Sequence, residues 1–398
     1  MTYRSAPDQG PSLWLARHHS LRRTEIAVVG GGLVGLSTAY WLARAGRRVT
    51  VVEASGLAGR ASGRNAGFLL TGSAEPYSQL IAAVGRERAR AFWERSRENR
   101  RLLRAELLDS GEVDAEVVRE GSWVAAPDDA EKVAELRASA ELLAEDGFRF
   151  RWVEGEELAR ASGSPRLGAA FQQPEDVGLD PVRLARGIAA RVQALGEGDG
   201  SVEVLTGARV RALEAREGGG VRLATEAGEV QADAVVVAVN AYIPQLIPQL
   251  AAEVRPVRGQ MLATGPGLRV LEGVWYIDEG FQYIRQLPDG TVVLGGCRQV
   301  AVEDEVGYRE QPTHSVQSAL ERFLDEYFPA LAGRAVARRW AGTMGFSSDG
   351  FPRVGTVPRL PDALYAAGLT GHGLSLSFAL GKHLADRLAG KVDHPFLP

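Results

Sequence analysis

One cysteine, Cys297, is all that the 398 residues carry. An intrachain disulfide and a cysteine metal cluster are therefore excluded. His18, His19, His314, His372, His383 and His394 are the only histidines, and none stands at zinc-ligand spacing, so no metal site is expected. Lysine is almost absent, with only Lys132, Lys382 and Lys391 among 46 basic residues. No apolar run approaches the roughly 20 residues needed to cross a membrane. Nothing near the amino terminus reads as a signal peptide, because Arg22-Arg23 leads directly into the first apolar stretch. The net charge is −4 with both signs interspersed, which leaves no footprint for nucleic acid. These absences predict a cytoplasmic globular protein whose partner is a small molecule. Oligomeric state is left open.

Glycine, by contrast, is plentiful, and its placement is informative. Gly30, Gly32 and Gly35 lie between an apolar run, Ile26–Val29, and a helix-like stretch, Leu36–Ala45. A second apolar run, Val49–Val52, ends in Glu53 and Ala54. This order predicts a strand, a tight turn, a helix and a second parallel strand with an acid at its tip. Gly30 permits the turn, Gly32 lets a pyrophosphate approach the backbone, and Gly35 allows close helix–strand packing. The amides of Leu33 and Val34 open the helix, whose positive end suits phosphate. Glu53 is placed to accept hydrogen bonds from a ribose. The competing reading is an ordinary glycine-rich turn, which does not account for Glu53.

The next segment, Ser62-Gly63-Arg64-Asn65-Ala66-Gly67-Phe68, is too polar and glycine-rich for core. Its amides and side chains could hold phosphate and a ring system; the alternative is a solvated loop. Near the carboxy terminus, Gly371-His372-Gly373-Leu374 falls between an expected strand, Leu364–Ala367, and a final helix, Ser375–Leu388. A helix amino end there would stabilise the negative charge of a reduced flavin. A nicotinamide has no such need, so the two turns together favour FAD. Val210 and Asn240, from the strand Ala208–Glu214 and the end of the buried strand Ala234–Val239, complete the candidate cofactor set.

Between these segments the pattern predicts helices over Tyr77–Asp109, Asp129–Glu145, Glu154–Ala161, Pro181–Leu195 and Thr313–Tyr327. Strands are predicted over Gly121–Ala126, Phe148–Val153, Val202–Leu205, Val221–Thr225, Arg258–Thr264, Val274–Ile277, Phe281–Gln286 and Thr291–Gly295. Residues 1–24 read as a polar surface arm. The expected architecture is α/β with an α+β second domain. A discontinuous Rossmann-like cofactor domain (1–76, 168–250 and 335–398) is joined to a mixed β-sheet substrate domain (77–167 and 251–334).

The glycine turn with Glu53, Ser62–Asn65, Val254–Gln260, Trp340–Thr343, Ser348–Pro352 and Gly371–Gly373 occur in an order that resembles the D-amino-acid oxidase-like family of FAD-dependent oxidoreductases. Ser62–Asn65 and Asn240-Ala241-Tyr242 resemble its gamma-glutamylputrescine oxidoreductase branch most. The resemblance implies loss of a hydride equivalent from the carbon beside an amine, with an imine product that water hydrolyses. It places the substrate between flavin and the second domain's sheet, with Tyr283, Arg285, Trp340, Phe346 and His372 as candidates at the reacting face. Arg285 could clamp a substrate carboxylate, or could be a surface arginine in a salt bridge; the aromatic residues could cage an amine or simply pack. One family member attaches FAD to a cysteine in the segment matching Gly342–Phe346, where this chain has none, so FAD is expected to be non-covalent. The lysine through which that member activates oxygen also has no counterpart in Thr291–Gly296, which leaves oxygen or another acceptor open. An NAD(P)-dependent dehydrogenase and a non-catalytic binding protein of the same fold are the competing functions.

Overall fold

The glycine-punctuated opening folds as strand Ser20–Val29, helix Leu33–Arg44 and strand Val49–Val52 in a computed structural model that describes residues 20–197 and 201–398. The two strands pair in parallel, with Ile26 opposite Val49 and Val29 opposite Val52. The first strand starts earlier than its apolar core suggests, because Ser20–Thr24 pair in parallel with Gly228–Ala232. That pairing, invisible locally, draws residues 20–24 out of the expected surface arm. The remainder of that arm, residues 1–19, and the tip of the Gly196–Gly200 loop lie outside the described residues.

The first sheet runs in the order Arg353–Val357, Leu360–Ala367, Gly228–Val237, Ser20–Val29, Val49–Val52 and Val202–Leu205, with Val210–Ala215 and Val221–Thr225 as a hairpin against Gly228–Val237. Both of its faces are buried, as parallel sheets require. Ile26 and Val28 face a helical layer containing Leu36, Leu184, Ile188 and Leu380. Ala27 and Val29 face the hairpin and Ile243, Ile247 and Leu250. The closing helix Gly373–Leu388 lies against the opening helix, where a Cβ on Gly381 would stand 2.6 Å from the Ser37 Cβ.

The second sheet has the order Val336–Phe346, Arg255–Thr264, Val292–Gly296, Gln282–Gln286, Val274–Ile277, Ser122–Pro127, Leu167–Gln173 and Arg151–Glu154. Trp275, Ile284, Leu294 and Leu262 pack one face onto the helix His314–Tyr327. By period-two alternation the other face carries Tyr283, Arg285, Gly295, Gly259, Trp340, Gly342 and Phe346. That face meets the first sheet's loops.

Several expectations need correction. Leu167–Gln173 and Val336–Phe346 belong to the second sheet although their sequence position suggested the cofactor unit. Helices within 77–108 pack with the first sheet's helical layer, through Tyr77, Phe92, Trp93 and Leu103. The single helix expected over Tyr77–Asp109 breaks at Gly85, whose φ of +86° ends Tyr77–Val84 and starts Arg86–Leu103. The strand expected at Phe148 begins only at Arg151, because Phe148 packs edge-on to Tyr77 and against Trp93.

Candidate functional site

The opening turn is sterically committed to glycine. Gly30 has φ +112°, and a Cβ there would lie 2.6 Å from the Ala238 oxygen. A Cβ on Gly35 would fall 1.9 Å from the Gly30 oxygen, and one on Gly32 would meet the Ser62 Oγ at 2.9 Å. The helix above them has no side-chain cap and no acid in its first turn, so its positive end faces the turn uncompensated. Leu33 and Val34 bury their side chains in the core, and the Leu33 amide donates to the Ser62 Oγ at 3.0 Å. Glu53 is held by the turn it serves: its carboxylate accepts from the Gly31 amide at 2.7 Å and the Ser55 amide at 2.8 Å. Ala54 follows it, and the Ala208 amide donates to the Glu53 carbonyl, bringing the start of the Val210–Ala215 strand beside the acid.

The segment Ala61–Arg64 is one helical turn followed by a side-chain-built loop. Asn65 donates to the carbonyls of Ala61 and Ser62 and accepts from the Gly67 amide at 2.8 Å. Arg64 donates to the Ala341 carbonyl at 2.9 Å and pairs with Glu310 at 2.9 Å. Glu310 also holds Arg60 and accepts from the Tyr242 hydroxyl at 2.8 Å. Both side chains thus build the loop, leaving its backbone and Ser62 as the groups turned to the helix end. Glu310 was missed by sequence reasoning; it stands 246 residues from Arg64, with no local signal. Gly63 and Gly67 are needed for packing, since a Cβ would lie 2.3 Å from the Ala58 oxygen and 2.0 Å from the Leu179 oxygen respectively. Ala66 and Phe68 join an aromatic cluster with Tyr276 and Tyr283.

The strand Val336–Phe346 gathers three distant segments. The Trp340 Nε1 donates to the Arg64 carbonyl at 2.9 Å. The Thr370 amide donates to the Gly345 carbonyl at 2.8 Å. A Cβ on Gly345 would stand 2.6 Å from the Asn240 Oδ1, which accepts from the Leu369 amide. Asn240 and Thr370 are both left-handed, with φ +43° and +45°, and such strain at non-glycine residues gathers at functional sites. Beyond Thr370, Gly371 has φ +82° with open space where its Cβ would be. His372 takes the Ala74 amide on Nε2 at 3.0 Å and packs edge-on to Phe92, leaving Nδ1 buried without a partner. Gly373 begins a helix with neither cap nor acid in its first turn, while the Leu374 side chain is core.

The family described as FAD dependent oxidoreductase matches residues 25–387. The chain belongs to the FAD dependent oxidoreductase family. It is 30% identical to a glycine oxidase of Pseudomonas aeruginosa, over 92% of this chain and 95% of that one. It is 26% identical to the gamma-glutamylputrescine oxidoreductase of Escherichia coli, over 93% and 84%. A crystal structure of glycine oxidase from Geobacillus kaustophilus superposes with a TM-score of 0.76, covering 94% and 96% of the two chains at 22% identity. The nicotinamide and non-catalytic alternatives are thereby set aside.

The residues fit the family's cofactor. Gly32 lets the Ser62 hydroxyl reach the opening helix end, and Gly371 leaves room beside the His372 Nδ1, which is buried without a partner among the described residues. Facing both is the second sheet. Arg285 is buried and makes no ion pair among the described residues; its Nη1 donates to the carbonyls of Gly67 at 3.2 Å and Leu179 at 3.0 Å. Burial drives its pKa down to about 10, because the charged form is desolvated. The surface salt-bridge reading of Arg285 is therefore replaced by a buried cation with no direct ion pair among the described residues, which Asp180 and Glu116 favour only from a distance. Tyr283, two residues earlier on the same face, has its hydroxyl pushed up to about 12, first by burial. Trp340 and Phe346 share this face but stand six residues apart, about 20 Å along an extended strand. They cannot both touch one small substrate; Phe346 lies under the Arg298 guanidinium at 4.9 Å.

Proposed function

We propose that this enzyme oxidises the C–N bond of an amine or amino acid bearing a carboxylate, using non-covalent FAD. The observation that carries the reading is Arg285, a buried guanidinium on the sheet face toward the cofactor turns, with two backbone carbonyls as hydrogen-bond partners and no ion-paired carboxylate among the described residues. An unpaired buried cation is costly, and a bound carboxylate is the natural relief. The strand Val336–Phe346 has no cysteine, and the thiol of Cys297 is buried and raised to about 11, which supports a cofactor held without a covalent bond. The similarity to a glycine oxidase and a gamma-glutamylputrescine oxidoreductase agrees with an amine substrate.

Bound FAD would supply the acceptor for a hydride leaving the carbon beside nitrogen, and water would hydrolyse the resulting imine. The chain's own residues position and shield. The opening turn, with Gly30, Gly32, Gly35 and Ser62, holds phosphate through backbone amides, and Glu53 takes ribose hydroxyls. The Gly371–Gly373 turn and its helix end place a positive field beside the ring. Arg285 anchors the substrate carboxylate, Tyr283 stays protonated as a hydrogen-bond donor at neutral pH, and Phe68 and Tyr276 keep water off the face. We place the cofactor unit in the first sheet with the helices of 77–108, and the substrate unit in the second sheet, including Val336–Phe346.

Anaerobic addition of glycine, N-methylglycine and D-amino acids to the purified holoenzyme tests the reading. Loss of the oxidised flavin spectrum with at least one of them is expected. If no primary or secondary amine or amino acid bleaches the flavin, the reaction class is wrong.

A further inference from the structure

The deeply buried arginines away from this face each hold a carboxylate. Arg100 pairs with Asp176, and Arg258 donates to Glu305 at 2.6 Å. Arg285 does not, and neither does a second arginine close by. Arg298 makes no hydrogen bond and no ion pair among the described residues; its one partner is the ring of Phe346, 4.9 Å from its Cζ. Other arginines, such as Arg334, also make no ion pair among the described residues; what sets Arg298 apart is its place on the turn that leaves the Arg285 face.

The fold puts the two together. Arg285 lies opposite Val293, and Tyr283 opposite Gly295. The chain then leaves that strand through Gly296 at φ +114° and Cys297 at φ +54°, and Arg298 follows. The Cys297 amide is fixed by the Phe281 carbonyl at 2.8 Å, so the turn is anchored to the neighbouring strand. Phe346 sits on the same sheet face as Tyr283 and presents its ring to the guanidinium, which a cation–π contact orients without neutralising it. Burial lowers the pKa of Arg298, against the attraction of Tyr283 and, more weakly, of Glu305, which Arg258 already engages. Five residues separate Val293, opposite Arg285, from Arg298; with the strand-to-strand step of about 5 Å this bounds the distance between the Arg285 and Arg298 backbones at about 21 Å. Side chains of this length can bring the two guanidinia much closer than that.

We propose that Arg298 is a specificity residue for a second acidic group, so that the substrate is an amine carrying two carboxylates, one at Arg285 and one at Arg298, on either side of Tyr283. This deepens the proposed function and rests on its assignment of the Arg285 face to the substrate. The separation of the two backbones along the strands favours a linear molecule in which several bonds separate the acids.

The test uses FAD-loaded enzyme under anaerobic conditions and two probe series. One is N-(ω-carboxyalkyl)glycines with one to five methylenes, each compared with the N-alkylglycine lacking the terminal carboxylate. The other is plain α,ω-dicarboxylates, which cannot be oxidised and report binding alone through the flavin spectrum. In the native enzyme one chain length binds at least tenfold more tightly than its N-alkyl counterpart. In Arg298→Met that ratio collapses by roughly ten- to hundred-fold, the loss of one charge-assisted hydrogen bond, and through Kd rather than the limiting rate of flavin reduction. Arg298→Lys restores part of it. Arg298→Glu turns the preference toward N-(ω-aminoalkyl)glycines, which separates recognition from damage to the fold. If the terminal carboxylate confers no preference, or Arg298→Met leaves the ratio intact, the second-anion site is overturned while amine oxidation stands. If dicarboxylates bind in an Arg298-dependent way but no amine bleaches the flavin, the site stands and the amine reading falls.

Discussion

Replacing Arg285 with methionine sets a structural cost against a ligand role, and the two can be weighed. The substitution removes a donor shared by the carbonyls of Gly67 and Leu179. The Gly67 carbonyl keeps the Leu179 amide at 2.8 Å, so only the Leu179 carbonyl is orphaned, at a cost of roughly 1–3 kcal/mol. Against this, the guanidinium is desolvated in the fold, its pKa lowered to about 10, and at about 1.36 kcal/mol per pH unit the charge costs roughly 3 kcal/mol to keep there. Methionine fills much of the volume without that cost. The opposing effects nearly cancel, so the melting temperature of the apoprotein should move by only a few degrees. Affinity for a carboxylate substrate should fall roughly 30- to 150-fold, with the charge-assisted pair lost. Thermal melts and anaerobic flavin-reduction titrations on the two proteins measure both. A large drop in melting temperature with unchanged carboxylate affinity would refute the reasoning and make Arg285 a structural strut. The pH response has a defined sign. Carboxylate binding needs the protonated guanidinium, so affinity weakens as pH rises through about 10. Folding stability does not lose this group's contribution there, because the unfolded guanidinium holds its proton longer than the folded one.

Gly35→Ala puts a Cβ 1.9 Å from the Gly30 oxygen, so the opening helix must move off its strand; the purified variant should lose most of its bound flavin, read from its absorbance against protein. Gly345→Ala drives into the Asn240 Oδ1 at 2.6 Å, and should weaken FAD retention by loosening the Leu369–Gly371 turn; Asn240→Gly relieves the φ of +43° but deletes the acceptor of the Leu369 amide, and should weaken retention as well. His383 is neutral in the fold, its pKa lowered to about 4, first by burial and then by His394, Arg387 and Arg95. The unfolded ring binds its proton nearer 6.5, so stability is full above that pH and is lost as pH falls from there toward 4. In His383→Phe the melting temperature should depend less on pH across that window; an unchanged dependence would place the acid sensitivity elsewhere.

Local chemistry decided much of this protein before any tertiary contact. The spacing of Gly30, Gly32 and Gly35 between two apolar runs dictates a strand–turn–helix–strand unit, because only glycine tolerates the φ of Gly30 and the approach at Gly35. Period-two alternation likewise placed Tyr283 and Arg285 on one sheet face, and Asp180-Pro181 marked a helix start that the Asp180 carboxylate does cap. Pairing across the chain was not readable in the same way. That Arg64 spends its charge on Glu310 and that Val336–Phe346 joins the second sheet depend on segments far apart in the chain, whereas Asn65 closes its own loop locally. Partners are hard to read from a sequence: with 46 basic and 50 acidic residues in the chain, only the folded arrangement shows that Arg285 and Arg298 form no ion pair among the described residues. Composition counts charges, whereas geometry decides which of them meet a partner and which face they line.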